Sequence, residues 1–229
     1  MSATELVIFD LDGVLIDSEV LSCRALAEVL SEGGHAITTE EVLARFVGVS
    51  NEALMATIER DSGRPLAADF NERAKDRMQA LFAAELQAVA GAESLLASLA
   101  LAKCIASNSP PDYIDRTVAL TGLDAFFPNG TRFSSAHVER PKPAPDIYLH
   151  AAAQMGATPE ACLVIEDSPT GARAARDAGM RVLGFVGAGH VVDGAALAAG
   201  LRDAGAGTIL HGLQQVLDVV QDSGVALKT

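Results

Sequence analysis

Two aspartates, Asp10 and Asp12, close an apolar run and precede a glycine in Phe9-Asp10-Leu11-Asp12-Gly13-Val14. If Leu6 to Phe9 is a strand, its period of two turns both carboxylates to one side, into a single pocket. Acids this close repel and need a shared proton or a cation, and hard carboxylate oxygens suit Mg²⁺. A second acid pair ends another apolar run, Val164-Ile165-Glu166-Asp167-Ser168. Asp167 or Ser168 also suits the cap of a helix opening at Pro169, and capping by Ser168 is compatible with metal binding by Asp167. A third run ends in Ala106-Ser107-Asn108-Ser109, where a hydroxyl and the N–H groups after it can hold a phosphoryl oxygen, or simply turn the chain into a helix around Asp112 to Thr121. Lys142 lies between Pro141 and Pro143, which restrict its backbone. The ordinary place of a lysine is the surface, but an ammonium aimed at four acids would neutralise charge and orient an anionic substrate.

These residues need strands to carry them to one edge. Leu6 to Phe9, Lys103 to Ala106, Ala161 to Ile165 and Arg181 to Val186 are short apolar runs separated by helical patterns such as Pro143 to Gly156 and Pro169 to Gly179. Strands alternating with helices predict an α/β fold with a parallel sheet covered on both faces, and its pockets lie beyond the carboxyl ends of the strands. From about Asp17 to Val89 the alternation stops and only helical spacing remains, with Thr38 and Glu41 forming a capping box. A crossover of ~70 residues is long for one βαβ unit, so the segment reads as a small all-helical insert. The expected organisation is a core of residues 1–16 and 90–229 with a helical domain over 17–89. Gln221 to Thr229 is expected to fray.

Thirty acidic against seventeen basic residues give a net charge of -13, which argues against sequence-independent nucleic-acid binding and against docking on an anionic membrane. At 49% hydrophobic the chain can bury a substantial core, and with 4% aromatics that core must be aliphatic. No apolar run approaches the ~20 residues of a membrane span, and Met1 to Glu5 lacks the start of a signal peptide. Cys23, Cys104 and Cys162 are an odd, widely spaced set, and Cys104 and Cys162, beside apolar runs, suit small buried hydrophobes, so a reduced, cytoplasmic protein is expected.

Taken in order, Asp10/Asp12, Ser107, Lys142 and Glu166/Asp167 resemble the four motifs of the haloacid dehalogenase superfamily, with the helical insert where that family carries its C1 cap. The resemblance implies a Rossmann-like core and a Mg²⁺-dependent phosphoryl transfer. Asp10 would be the nucleophile that forms an aspartyl-phosphate. Asp12 would protonate the leaving oxygen and then take a proton from water, its backbone carbonyl also binding the metal. Asp167 would be a direct metal ligand, Glu166 a ligand or a partner through water. Ser107, the Asn108 amide and Lys142 would hold the phosphoryl oxygens. Members that cleave carbon–halogen bonds lack the acid at Asp12, so its presence favours phosphoryl transfer.

Within the superfamily the chain is similar to the β-phosphoglucomutase-like subgroup. Mutases there carry a histidine in the first cap helix and a Lys-Gly-x-x-Arg loop; this chain has Ser22 and Val47-Gly48-Val49-Ser50-Asn51. A phosphatase acting on a sugar phosphate or sugar-acid phosphate is therefore expected, with a mutase as the alternative and a non-catalytic phosphometabolite-binding protein as a distant one. Asp17-Ser18-Glu19-Val20, Arg45-Phe46 and Ala84-Glu85-Leu86 leading to Gly91 are similar to stretches of bacterial 6-phosphogluconate phosphatases. The cap is expected to select substrate and to hinge near Asp17 and Val89. Arg45, Arg73, Lys75 and Arg77 could reach it, although a solvated helix face is their simpler reading. The five histidines have no metal-ligand spacing, and Ser107 lacks the setting of a serine nucleophile. The expected partners are a small phosphorylated metabolite and at most a second copy in a weak homodimer; no nucleic acid and no membrane.

Overall fold

In the computed structural model, which describes residues 3–222, the chain divides into two compact units, Met1–Ile16 with Gln87–Thr229, and Asp17–Leu86. The chain opens with β1 (Leu6–Phe9), whose four side chains are all buried. The helical unit follows: α1 (Glu19–Glu32), α2 (Thr39–Phe46), α3 (Asn51–Ser62) and α4 (Phe70–Glu85). The capping box at α2 forms, the Glu41 N–H donating to Thr38 Oγ1 at 3.2 Å and the Thr38 N–H to Glu41 Oε2 at 2.8 Å. Leu30, Val42, Phe46, Leu54, Ile58 and Phe70 make this unit's own core. Its outer faces carry ion pairs: Arg45 with Asp61, Arg73 with Glu32, and Arg77 with both Glu28 and Glu32. Arg45, Arg73 and Arg77 are thus held on helix faces within the unit, and Lys75 is exposed.

The other unit continues with α5 (Ala92–Ser98), β2 (Ala102–Ser107), α6 (Pro111–Leu120), β3 (Arg132–Ser134), α7 (Asp146–Gln154), β4 (Cys162–Glu166), α8 (Pro169–Asp177), β5 (Arg181–Phe185), α9 (Gly194–Ala204), β6 (Thr208–Leu210) and α10 (Gln215–Asp222). Among the described residues the six strands form one parallel sheet in the order β3-β2-β1-β4-β5-β6. This is a Rossmann-type α/β fold. The four apolar runs are strands, and two short edge strands, β3 and β6, join them without having been marked by any such run. The frayed tail expected from Gln221 onward lies, from residue 223, outside the described residues; Gln221 and Asp222 themselves complete α10. No helix among the described residues is long and apolar enough to cross a membrane.

Strands covered by helices on both faces must be apolar throughout, and Leu6, Ile8, Cys104, Ala106, Cys162 and Val164 pack against Ile147, Tyr148, Ala172 and Ala175 in one cluster. Small residues on α8 let it lie close to the sheet. The order reverses at β1, which pairs with β2 on one side and β4 on the other, so the crevice opens where these three strands end.

Candidate active site

Register delivers the acids. Phe9 pairs with Ile165 across β1 and β4, the Asp10 N–H donates to the Ile165 carbonyl at 3.0 Å, and Glu166 is the last residue of β4. Asp10 and Glu166 therefore leave neighbouring strands at the same level. After Asp10 the chain folds back in a tight turn, the Gly13 N–H donating to the Ile16 carbonyl at 2.9 Å. Gly13 has a φ of +75°, and a Cβ there would stand 1.9 Å from Oδ2 of Asp167. Only glycine lets the Asp167 carboxylate lie against this turn.

Lys142 is drawn into the same place. Its Nζ donates to Oδ1 of Asp10 at 2.7 Å and to Oε1 of Glu166 at 2.6 Å, and it lies 4.8 Å from the centre of the Tyr148 ring. The flanking prolines are accompanied by a second restraint, since the side-chain amide of Asn108 grips the Lys142 backbone from both sides. Asn108 Oδ1 accepts from the Lys142 N–H at 3.0 Å and its Nδ2 donates to the Lys142 carbonyl at 3.2 Å. The Asn108 side chain is thus a latch on the lysine loop, while its main chain belongs to the turn after β2. Ser107, ending β2 and buried, accepts the Ser109 N–H on its Oγ at 3.1 Å. Ser134 and Ser135 tie that turn down through the carbonyls of Ser109 and Asn108, each at 2.7 Å.

Glu166 is wholly buried and its carboxylate is saturated. Oε1 accepts from Lys142 and from the Tyr148 hydroxyl at 2.7 Å; Oε2 accepts from the N–H and the hydroxyl of Ser168 at 3.1 and 2.9 Å. Ser168 also caps α8, accepting the Gly171 N–H at 3.0 Å. Gly171 is required by this packing: a Cβ there would fall 1.6 Å from Oε1 of Glu166. Burial raises the Asp10 carboxyl from 3.8 to about 7, Lys142 pulling it down and the Glu166 charge pushing it further up. Burial would lower the Lys142 ammonium, but Asp10 and Glu166 outweigh it and hold the lysine well above its usual value.

Asp12 points elsewhere. Its Oδ2 accepts from the Ser109 hydroxyl at 2.9 Å and its Oδ1 from the Tyr113 hydroxyl at 2.7 Å. The carboxylates that come together are those of Asp10, Glu166 and Asp167, with ligand oxygens all within 4.8 Å of one another. Among the described residues, three acids against the ammonium of Lys142 leave a deficit of positive charge in a buried place. That deficit, with an all-oxygen donor set, fits a hard divalent cation such as Mg²⁺. The Asp12 side chain is outside this cluster.

Ser109, Tyr113, Tyr148 and His190 also face these carboxylates, and nothing in the sequence assigned them a role there. His190 is buried with its Nε2 3.6 Å from Oδ2 of Asp167, although nothing in its spacing from the acids marks it. Tyr148 looks like a core position of an amphipathic helix, and no local pattern assigns its hydroxyl. A cavity of about 560 Å³ lies away from the acids, beside the β3 edge, lined in part by Arg132, Phe133, His137 and His150.

A family model described as haloacid dehalogenase-like hydrolase matches residues 4–179. The chain is 35% identical over 186 residues to the 6-phosphogluconate phosphatase of Escherichia coli strain K12, covering 81% of this chain and 84% of that protein. Among solved structures it is similar to a hydrolase of this family from Deinococcus radiodurans R1 with bound phosphate and sodium. The TM-score is 0.86 at 30% identity, covering 98% of each chain. It is also similar to a putative β-phosphoglucomutase from Thermotoga maritima, with a TM-score of 0.80 at 26% identity, covering 96% of this chain and 99% of that one.

Proposed function

The chain belongs to the haloacid dehalogenase-like hydrolase family and is, with its relatives, a phosphoric monoester hydrolase; on that premise we propose that it is a Mg²⁺-dependent phosphatase of a small phosphorylated metabolite, working through an aspartyl-phosphate on Asp10. The observation that carries this reading is the Asp10–Lys142–Glu166 cluster, with Lys142 Nζ 2.7 Å from Oδ1 of Asp10 at the open end of the sheet.

An oxygen of Asp10 attacks phosphorus, forming the Asp10 O–P bond as the ester P–O bond breaks. Asp12 gives its proton to the departing oxygen, so the product leaves as an alcohol. In the second half Asp12 takes a proton from water as that water's oxygen bonds to phosphorus. The Asp10 O–P bond then breaks, and inorganic phosphate and free Asp10 carboxylate result. Lys142, Ser107 and the Asn108 backbone amide bind the phosphoryl oxygens, the lysine supplying fixed positive charge where negative charge builds. Asp10, Asp167 and the Asp12 carbonyl would hold the Mg²⁺, with Glu166 as a further ligand or a partner through water, and when bound it offsets the repulsion between carboxylate and phosphate.

Substrate choice falls to the helical unit, because the core residues handle only the phosphoryl group. The class favoured is a sugar phosphate or a sugar-acid phosphate such as 6-phosphogluconate, on the strength of the 35% identity to the Escherichia coli enzyme. The test is phosphate release from a panel of these esters, with and without Mg²⁺, beside Asp10→Asn. Metal-dependent release by the wild type alone is expected. Equal release by Asp10→Asn would overturn the aspartyl-phosphate, and no release from any ester would overturn the phosphatase.

A further inference from the structure

The Asp12 carboxylate is gripped on both oxygens by hydroxyls from one short stretch of chain, Ser109 on Oδ2 and Tyr113 on Oδ1. We infer that Tyr113, with Ser109, is a positioning residue for Asp12, which fixes the plane of the acid–base carboxylate relative to the turn that holds the phosphoryl group. This rests on the phosphatase reading above and goes beyond it, because neither hydroxyl belongs to the four motifs.

The last torsion of an aspartate is broad, so a carboxylate held at one oxygen can rotate about that contact, whereas one held at both oxygens cannot. An acid–base group works only within hydrogen-bond reach of the proton it transfers, and a shift of about 1 Å can cost on the order of 100-fold in rate. The two donors are themselves fixed. Ser109 belongs to the turn whose N–H meets Ser107 Oγ, and its carbonyl is held by Ser134. Tyr113 lies in the first turn of α6, with its N–H on the Pro110 carbonyl at 3.1 Å and its own carbonyl accepting the Thr117 hydroxyl at 2.9 Å. One short stretch, from Ser107 at the end of β2 to Tyr113 in α6, therefore carries both the phosphoryl holder and the Asp12 clamp, so the distance between phosphoryl holder and acid–base group is set by seven consecutive residues. Tyr113 is half-buried, so its hydroxyl does not need Asp12 for want of water; the contact is not forced by desolvation.

The test uses the dependence on the leaving group. An alkyl phosphate needs its departing oxygen protonated, whereas p-nitrophenyl phosphate releases a stable phenolate and needs the proton much less. In single turnovers with enzyme in excess, Tyr113→Phe should slow transfer from the alkyl ester by about 10- to 100-fold and from the aryl ester by less than about threefold. Ser109→Ala removes the other donor independently and should show the same split, which keeps the question open to test if the Phe variant does not fold. In an Asp12→Asn background Tyr113→Phe should cost nothing more, because residues acting through one group are not additive. An equal loss on both esters, no loss on either, or a full further loss in the Asp12→Asn background would overturn the proposal. A wild type that turns over neither ester would overturn the underlying phosphatase reading and this proposal with it; a wild type that turns over both, with an even loss in the variant, overturns this proposal alone.

Discussion

Lys142 Nζ lies 2.6 Å from Oε1 of Glu166, and both side chains are buried at the end of the sheet. Because Asp10 shares the same ammonium, the lysine is, among the described residues, the cation paired with both buried carboxylates. Removing it leaves both uncompensated. Lys142→Met should therefore destabilise the metal-free protein by about 3–5 kcal/mol, as for other broken buried pairs. Adding Glu166→Gln to that variant should recover part of the loss, since it removes one of the stranded charges. Urea unfolding of the single and double variants measures both; a Lys142→Met protein as stable as the wild type would contradict the arrangement.

The close approach of α8 to Glu166 gives a second expectation. Gly171→Ala puts a methyl where the Glu166 carboxylate sits, 1.6 Å from Oε1, so the carboxylate must move. Groups that orient metal-binding carboxylates typically govern affinity by about 10- to 100-fold, and a loss of that size in Mn²⁺ or Mg²⁺ binding by calorimetry is expected. Gly200→Ala is the matched control, an interior position of α9 where the added Cβ meets the Pro169 ring at 3.4 Å. It should leave metal binding unchanged and raise stability by about 0.5–1 kcal/mol through helix propensity.

The raised Asp10 carboxyl makes stability depend on pH in a stated direction. Burial moves it from 3.8 to about 7, so between these values the folded chain keeps a proton that the unfolded chain has released. Stability from this group is then present at low pH and is lost as pH rises through about 7. In metal-free buffer the melting temperature of the wild type should fall from pH 5 to pH 8 relative to Asp10→Asn, which has no such titration. Mg²⁺ should raise the wild-type melting temperature more at pH 8 than at pH 5, because the cation needs the ionised carboxylate. Parallel curves for the two proteins would remove Asp10 as the titrating group.

The thiols should be silent. Burial, with Glu19 nearby, pushes Cys23 up to about 12; burial, with Glu160 and Glu5, pushes Cys162 up to about 11; burial, with Cys162 beside it, raises Cys104 further still. Since the thiolate is the reactive form, a disulfide reagent at pH 8 should label none of the three within minutes in the folded protein, and all three after unfolding in guanidinium. Fast labelling of any one would mean that its surroundings open readily.

What could be read from the chain follows from where each element lies. β1, β2, β4 and β5 are interior strands, apolar on both faces, and so stand out as runs. β3, Arg132-Phe133-Ser134, and β6, Thr208-Ile209-Leu210, are three-residue edge strands with mixed faces, too short for any periodicity. The acids were legible because each ends an apolar run, and Ser107 because it does the same. Ser109 and Tyr113 meet Asp12 across separations of 97 and 101 residues, a pairing that exists only once β2 lies beside β1. Tyr148 and His190 were hidden for the related reason that an aromatic on a helix and a histidine in a loop carry no sign of the carboxylate each will face. The Asn108 side chain, which its place in the run leaves without a role of its own, anchors the Lys142 backbone.

Where the chain leaves β1 and where it comes back are held together by the sheet-bearing unit itself. Ile16 and Ala88 form an antiparallel bridge, and the Val89 N–H donates to the Leu15 carbonyl at 2.9 Å. The intervening segment is thus a side excursion that begins and ends at one doorway. Its length and composition can change without moving Asp10, Ser107, Lys142 or Glu166, since none of their strand pairings passes through it. A gene in which that excursion is exchanged for another helical segment with the same two endpoints would keep the strand ends that carry Asp10, Ser107 and Glu166.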